Sequence, residues 1–317
     1  MKNKINSVWD DFNKKVDKLC NIISNKYVVL WGYSLTGKFI EHILRRKGIK
    51  VSVIMDRNEY IRNIFYLEDP LNYLNLIDLD FPLGNKIIIC TFNASDEINE
   101  IFSKYNYREN EDYVFAYKYF DLEKSIPLSY FNWLETKYSL DLNKGTLKVK
   151  GSDNSEYGPS CDYDIITWFE YLSLKNTDGV FDFGFGKGGV LLLLNYINSD
   201  VKIGGVEYDK NIFNIAKTNF YKLKIELQDM ICDNAANVTN VLDNYNYFYI
   251  ANSFVGNTFI QVIKNIQESY ERHPRKIILI YMRPVRHEYV ISNSHLLLSK
   301  QLPSHRHWRY INIYTME

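Results

Sequence analysis

The sequence predicts an α/β protein whose two halves each carry a largely parallel β-sheet. Apolar runs of strand length alternate with amphipathic helical patterns in both halves, as expected for parallel strands joined by helices. A glycine-containing turn follows the first strand of each half. Between about 121 and 163 the pattern weakens, and at 317 residues the chain is long enough for two domains of ordinary size.

The N-terminal half begins with a helix and then a β-α-β pattern, which implies two parallel strands joined by a right-handed crossover. The predicted elements are helix 3–24, strand 27–31, helix 36–47, strand 50–56, strand 86–92, helix 95–105 and strand 112–117. We predict that an N-terminal helix and a Rossmann-like accessory domain occupy residues 1–125. A linker follows over residues 126–160, where Gly, Ser, Asn and Pro collect.

The C-terminal half, over residues 161–317, predicts five β/α units closed by an antiparallel pair of strands. The predicted elements are helix 164–174, strand 179–183, helix 188–197, strand 202–207, helix 209–222, strand 224–229, strand 245–251, helix 257–271, strand 276–282 and two strands in 295–302 and 309–316. We therefore expect a second Rossmann-like domain with a hairpin at its end.

Composition limits the classes of partner. The 38 basic and 38 acidic residues give a formal net charge of zero. Proteins that bind nucleic acids or membrane surfaces usually carry a basic field, so we expect a small-molecule substrate, no nucleic acid and no membrane. No apolar run suits a signal peptide or a membrane-spanning helix, which predicts a cytoplasmic protein, and assembly into a homo-oligomer stays open. The four cysteines lie far apart and predict reduced thiols.

The turn after the first strand, GYSLTGKF, is compatible with two nucleotide-binding signatures. Read as a P-loop, it lacks the hydroxyl that must hold Mg²⁺, because Phe39 stands at that position. Read as a dinucleotide fingerprint, it keeps Gly32 and Gly37 but has Ser34 at the middle glycine. Asp56 ends the next strand, where ribose-binding acids lie. We favour the Rossmann interpretation and keep both a second ligand site and a purely structural turn open.

The turn after the first strand of the C-terminal half, in VFDFGFGKGGVLLLL, is richer in glycine. Asp182 lies at the end of the strand, and Gly184, Gly186 and Gly188 lead into a helix. A backbone without β-carbons can press against a ligand, and the helix N-terminus supplies aligned N–H donors. Glu207 ends the next strand, where a carboxylate can accept both hydroxyls of a ribose.

Two more strand ends carry polar residues. Asp233 and Asn234 stand in ICDNAAN, after the third strand region, where either side chain can meet an adenine amine. Asn252 follows the next apolar strand, in the sequence Asn-Ser-Phe. Because the carboxyl ends of parallel strands meet at one edge of a sheet, we expect these residues to lie together with the glycine turn.

These elements together resemble the class I S-adenosylmethionine-dependent methyltransferases, over about residues 155–317. The resemblance implies a seven-stranded sheet with a terminal antiparallel hairpin, methyl transfer as the activity and S-adenosyl-L-methionine as the cofactor. It implies that Asp182 and the three glycines line the methionine part of the cofactor. Glu207 would bind the ribose, and either Asp233 or Asn234 would bind the adenine.

The same resemblance suggests two further roles. Tyr157, in SEYGPSCDY, matches a Tyr/Pro segment that covers the cofactor in some members, so the predicted linker doubles as a cofactor-covering segment. Members that methylate amino groups often carry Asn-Pro-Phe where this chain has Asn252-Ser253-Phe254, which makes Asn252 the catalytic candidate. The N-terminal half resembles small domains beside sugar-modifying enzymes, and we expect a small-molecule acceptor such as a sugar or a nucleotide-linked compound.

Two other functions stay open on sequence alone. One is an NAD(P)-dependent oxidoreductase, although its fingerprint is G-x-G-x-x-G whereas this turn is G-x-G-x-G. The other is a non-catalytic binding or assembly protein with a vestigial nucleotide site. Candidates for a general base or substrate contact near the acceptor are His273, Arg283, Arg286 and His287. The pair His305 and His307 suggests a polar hairpin turn, and we expect no metal.

Overall fold

The protein is described by a computed structural model, which covers residues 2–74, 85–92, 95–123, 126–143, 157–227, 229–306 and 309–317. The chain divides into two compact units, Met1–Thr136 and Lys137–Glu317. The division falls within the range 126–160 in which the sequence predicts a linker. The three predicted domain limits themselves stay predictions.

Unit 1 contains a four-stranded, fully parallel sheet in the order β2-β1-β3-β4. This confirms the predicted parallel β-α-β pattern. The elements are α1 (Lys2–Ile23), β1 (Tyr27–Trp31), α2 (Leu35–Arg46), β2 (Val51–Met55), α3 (Glu59–Phe65), β3 (Lys86–Cys90), α4 (Ser95–Lys104), β4 (Tyr113–Phe115) and α5 (Tyr130–Tyr138), whose last two residues fall after the division.

An aromatic cluster packs the helices of unit 1 together. The Phe12 ring of α1 lies 4.9 Å from that of Trp133 and 5.0 Å from that of Tyr130, measured between centroids. Tyr130 also contacts Phe39 of α2 at 4.6 Å. All four side chains are at most 3% exposed. Because edge-to-face aromatic pairs add to the free energy of burial, this cluster explains why a helix outside the β-α-β pattern is retained.

Unit 2 is built on a seven-stranded sheet in the order β10-β11-β9-β8-β5-β6-β7. The five neighbouring strands β9, β8, β5, β6 and β7 pair with one another in parallel, and β11 pairs antiparallel with both β9 and β10, so the predicted sheet with a terminal antiparallel hairpin is confirmed. The strands are β5 (Gly179–Phe183), β6 (Lys202–Glu207), β7 (Asp229–Cys232), β8 (Tyr247–Ile250), β9 (Ile277–Met282), β10 (Leu297–Pro303) and β11 (Tyr310–Met316).

The central strands of this sheet are buried along their whole length, as expected for parallel strands covered on both faces. Every residue of β5, β8 and β9 is buried. The helices are α6 (Asp162–Leu172), α7 (Gly189–Ile197), α8 (Lys210–Leu223), α9 (Gly256–Arg272) and α10 (His287–Asn293). No helix in the described ranges is long and apolar enough to cross a membrane.

One predicted strand was wrong. The sequence KIELQD predicts a strand over 224–229, whereas β7 begins at Asp229. Lys224 adopts a left-handed conformation that ends α8, and the Ile225 amide donates to the carbonyl of Phe220. The apolar residues Ile225 and Leu223 therefore cap and pack the helix end. This shift places Asp233 directly after the strand.

We predict that Asn265→Ala lowers the free energy of unfolding by about 1–3 kcal/mol, measured by urea denaturation. The Asn265 amide is 1% exposed and donates to the carbonyls of Ala236 and Val238, which the variant would leave buried without a donor. Lys264→Ala, on the exposed face of the same helix, is the matched control and should change stability by less than about 0.5 kcal/mol. Equal effects of the two changes would contradict the assignment.

Candidate functional site

One edge of the seven-stranded sheet carries the polar residues that the sequence predicts to form a site. β5, β6, β7 and β8 are parallel, so their carboxyl ends meet at this edge. Asp182 is the penultimate residue of β5, Glu207 ends β6, Asp233 follows β7 and Asn252 follows β8. Such an edge is where open α/β sheets bind ligands.

The glycine turn between β5 and α7 depends on glycine for two reasons. Gly184, Gly186 and Gly188 adopt left-handed conformations, with φ of 86°, 59° and 88°. The space beside them is also filled, since a β-carbon on Gly184 would lie 2.5 Å from Ser253, and one on Gly186 would lie 2.5 Å from the Tyr157 ring. The bare backbone of this turn is thus packed against two other parts of the site.

Glu207 holds the glycine turn to the end of β6. Its Oε2 accepts from the backbone N–H of Gly186 at 2.9 Å, and its Oε1 accepts from that of Asp209 at 2.8 Å. Burial raises the pKa of this carboxyl, and the two N–H donors oppose that shift. Asp209 in turn caps α8 by accepting from the amides of Asn211 and Ile212.

Asp182 differs from Glu207 because its carboxylate accepts no hydrogen bond from the described residues. The residue is 1% exposed, and neither carboxylate oxygen has a hydrogen-bond donor among the described residues. Burial, and then the neighbouring charge of Glu207, raise the pKa of this carboxyl well above its ordinary value. A buried carboxylate without a partner is costly, so a cationic group beside it would be stabilised.

Contacts that sequence reasoning missed join the segment around Asp141 to the glycine turn. Lys187, which is 2% exposed, donates through Nζ to Asp141 Oδ1 at 2.6 Å. Asn219 of α8 donates to the carbonyls of Asp141 and Lys187 at 2.9 and 3.0 Å. The Tyr157 hydroxyl donates to the carbonyl of Leu142 at 2.6 Å. A lysine inside an apolar glycine turn signals an ion pair, but its spacing does not identify the partner, here the partly exposed Asp141.

Asp233 and Asn234 differ in which atoms remain available. The Asn234 side-chain oxygen accepts from the Ala236 amide and caps the short 3₁₀-helix Ala235–Asn237. Asp233 is exposed, and its Oδ1 accepts from the Asn234 amide and from the Asn237 side chain. Asp233 Oδ2 takes part in neither of these bonds, and which of the two residues binds a ligand stays a prediction.

Asn252 lies on the opposite side of the glycine turn from Glu207. It adopts a left-handed conformation with φ of 58°, and its side-chain oxygen is buried without a donor among the described residues. The adjoining Ser253 packs on Gly184. Asparagine adopts this conformation readily in turns, so it is the buried oxygen without a donor among the described residues that favours a functional position.

The four predicted substrate-side residues do not lie together. His273 was placed wrongly, because it follows α9 and precedes β9, at the amino edge of the sheet, where it lies 3.4 Å from Asp243. His287 hydrogen-bonds the Tyr314 hydroxyl at 2.8 Å. The Arg286 guanidinium lies 5.9 Å from the Phe259 ring.

A compact group of Cys161, Asp164 and His305 lies beside the terminal hairpin, with candidate ligand atoms within 4.8 Å of one another. Both carboxylate oxygens of Asp164 are already bonded, one by the His305 amide at 2.6 Å, the other by the His305 ring at 2.6 Å and by Ser304 at 3.1 Å. We interpret the group as the anchor of the hairpin turn on α6. His307, the other member of the predicted histidine pair, lies outside the described residues.

The glycine turn of unit 1 is also held by a carboxylate at the end of the next strand. Asp56 is 7% exposed and accepts from the Tyr33 amide at 2.6 Å and from the Asn58 amide at 2.7 Å. A β-carbon on Gly37 would lie 2.0 Å from the Gly32 carbonyl oxygen, and the Ser34 side chain is exposed. Lys38, the lysine of the rejected P-loop interpretation, lies 4.5 Å from the Phe65 ring. A ligand site at this turn stays a prediction.

No protein-family model and no curated protein sequence matches this chain. Among solved structures, a SAM-dependent methyltransferase from Aquifex aeolicus is 12% identical, with a TM-score of 0.37 over 48% of this chain and 89% of that chain. An RNA methyltransferase from Salinibacter ruber, solved with S-adenosyl-L-homocysteine, is 12% identical, with a TM-score of 0.37 over 50% and 92%. Likenesses at this level do not identify an activity, which depends on the residues of the site.

We predict that Asp182→Asn stabilises the ligand-free protein at neutral pH. Since the folded-state pKa of Asp182 is raised, its contribution to stability is present below the unfolded value and is lost as pH rises through the folded value. The difference in unfolding free energy between variant and wild type should grow above about pH 4, by about 1.4 kcal/mol per unit separating the two pKa values. Urea denaturation across pH measures it.

The exposed carboxyl of Glu226 is the control for that experiment. Glu226→Gln removes one carboxyl of unit 2 without removing a buried charge, so its difference from wild type should stay flat across the same pH range. A flat difference for Asp182→Asn would contradict the unpaired burial of Asp182.

Proposed function

We propose that unit 2 is a methyltransferase that takes its methyl group from S-adenosyl-L-methionine. The observation that carries this proposal is the buried, unpartnered carboxylate of Asp182 beside a turn of three glycines. The cofactor carries an ammonium group and a sulfonium, and a cationic ligand would give Asp182 the partner that the described protein residues do not supply. When bound, it supplies a methyl group that is already activated for transfer.

The other edge residues suit the remaining parts of that cofactor. An ionised carboxylate has about four acceptor positions. Glu207 uses one on each oxygen for the backbone of Gly186 and Asp209, which leaves one on each oxygen for the two ribose hydroxyls. The free oxygen of Asp233 can accept from an adenine amine. Tyr157, packed on Gly186 and bonded to Leu142, would cover the cofactor from the segment that precedes β5.

The same charges disfavour a dinucleotide. A pyrophosphate must approach the glycine turn closely, and there it would meet two carboxylates, Asp182 and Glu207, of which the first has no neutralising partner in the described chain. The Gly186 amide, which would otherwise face the phosphates, already donates to Glu207. The NAD(P)-dependent alternative therefore has less support than the methyltransferase.

The chain's own contribution to methyl transfer would be positioning. Holding an acceptor atom in line with the methyl group can supply up to about 7–11 kcal/mol of the rate acceleration. Asn252 is the residue that we assign to this task, because its buried oxygen has no donor among the described residues and an acceptor hydroxyl or amine can provide one. We propose a small-molecule acceptor, such as a sugar or a nucleotide-linked compound.

The test is binding of S-adenosyl-L-homocysteine to the full chain by isothermal titration calorimetry. We expect binding by wild type, at least a tenfold loss in Asp182→Asn or Glu207→Gln, and no loss in the exposed control Glu226→Gln, since a lost hydrogen bond to a charged group costs about 1.5–3 kcal/mol. Circular dichroism checks that the variants stay folded. Binding of NAD(H) without S-adenosyl-L-homocysteine would overturn the proposal, and binding of neither would favour a non-catalytic protein.

A further inference from the structure

Charge is divided along the edge of the sheet that carries the site. Acidic residues stand at the ends of β5 and β6, where Asp182 and Glu207 lie. On the other side of β8, arginines follow β9 and precede β11. Asn252, after β8, lies between the two groups, because β8 pairs with β5 on one side and with β9 on the other.

Strand register places the arginines at this edge. Met282, the last residue of β9, pairs with Ile311 of β11, and Pro303 of β10 pairs with Tyr310. The turn between β10 and β11 therefore lies beside the carboxyl end of β9. Arg283 follows β9 and its amide donates to the Tyr310 carbonyl at 3.1 Å, so its backbone is joined to the start of β11.

The hairpin turn that carries the other two arginines is held in place. Its Ser304 and His305 bond the buried carboxylate of Asp164, as described above. Within the turn, the Arg309 amide donates to the Arg306 carbonyl at 2.8 Å, and the Ser304 amide donates to the Arg309 carbonyl at 3.1 Å. The backbone of Arg306 and Arg309 is thus held by hydrogen bonds.

The charges of the arginines act on one another. Burial, and then the charges of Arg283 and Arg306, lower the pKa of Arg309, while the Asp164 carboxylate raises it, and an arginine stays protonated. Arg283 also acts electrostatically on Tyr249, the β8 residue that pairs directly with Asp182. Neither Arg283 nor Arg309 has a carboxylate within ion-pair distance among the described residues. An anion at this position would relieve the repulsion.

We propose that the methyl acceptor carries a phosphoryl group, and that Arg283 and Arg309 bind it. This inference rests on the proposed function and names the class of acceptor. The cationic cofactor would bind on the acidic side of this edge, and the anionic acceptor would bind on the basic side. Asn252 stands where the two would meet.

Arginine chemistry favours phosphate. A guanidinium presents donors in a planar fork that pairs bidentately with phosphate oxygens, and charge-assisted bonds of this kind are about twice as strong as neutral ones. Two guanidiniums with a third nearby match the double negative charge of a phosphoryl group. A small phosphorylated molecule fits better than a nucleic acid, because the chain has zero net charge.

The experiment titrates pyrophosphate into the full chain saturated with S-adenosyl-L-homocysteine, by calorimetry at constant ionic strength. We expect wild type to bind pyrophosphate. The dissociation constant should be at least tenfold larger in Arg283→Gln and in Arg309→Gln, and both variants should bind S-adenosyl-L-homocysteine as wild type does. Lys264→Gln removes the same charge from an exposed position on α9 and should leave both affinities unchanged.

The outcomes separate the two proposals. If S-adenosyl-L-homocysteine binds and pyrophosphate does not, the acceptor inference fails and the proposed function stands. Pyrophosphate binding that Lys264→Gln weakens as much as the arginine variants do would overturn the assigned residues. Binding of citrate but not of pyrophosphate would indicate an acceptor that carries a carboxylate instead of a phosphoryl group. Tighter binding of a short oligoribonucleotide than of pyrophosphate would indicate an RNA acceptor instead of a small molecule. Absence of S-adenosyl-L-homocysteine binding contradicts the proposed function itself.

Discussion

A single carboxylate holds the site together. Glu207 ends β6 and accepts one backbone N–H from the glycine turn after β5 and another from the start of α8. These two bonds join two neighbouring strand ends and fix the turn against which Tyr157 packs. Asp56 does the same in unit 1, with N–H groups from Tyr33 and Asn58. In both units, the acid at the end of the second strand already accepts backbone N–H groups, and only its remaining acceptor positions can serve a ligand.

This double role explains how far the sequence could predict the site. Alternating apolar runs and helical patterns correctly predicted the central strands and the helices between them, because central parallel strands are buried on both faces. Asp56 and Glu207, the acids at the second strand end of each unit, were predicted because open α/β sheets bind ligands at the carboxyl ends of their strands. The region of β7 was missed because KIELQD has strand-like composition, yet a left-handed Lys224 turns those residues back onto α8.

Other features depend on contacts distant in sequence and had no local signal. Lys187 pairs with Asp141, and Asp164 pairs with His305 across most of the unit. That Asp182 has no hydrogen-bond donor among the described residues is likewise visible only in the folded structure, since an aspartate at a strand end can equally have a partner. By contrast, the order of elements could have placed His273 correctly, because a residue between a helix and the next parallel strand lies at the amino edge of the sheet.

A net charge of zero hides a strongly polarised edge. The acids and bases balance over the whole chain, but along this edge the carboxylates lie on β5 and β6 and the guanidiniums on β9 and the hairpin. Fields of opposite sign a few strands apart can orient two oppositely charged ligands without steering the protein towards polyanions. A residue between them can position an acceptor by hydrogen bonding alone, and Asn252 is neutral, with a side-chain oxygen that has no donor among the described residues.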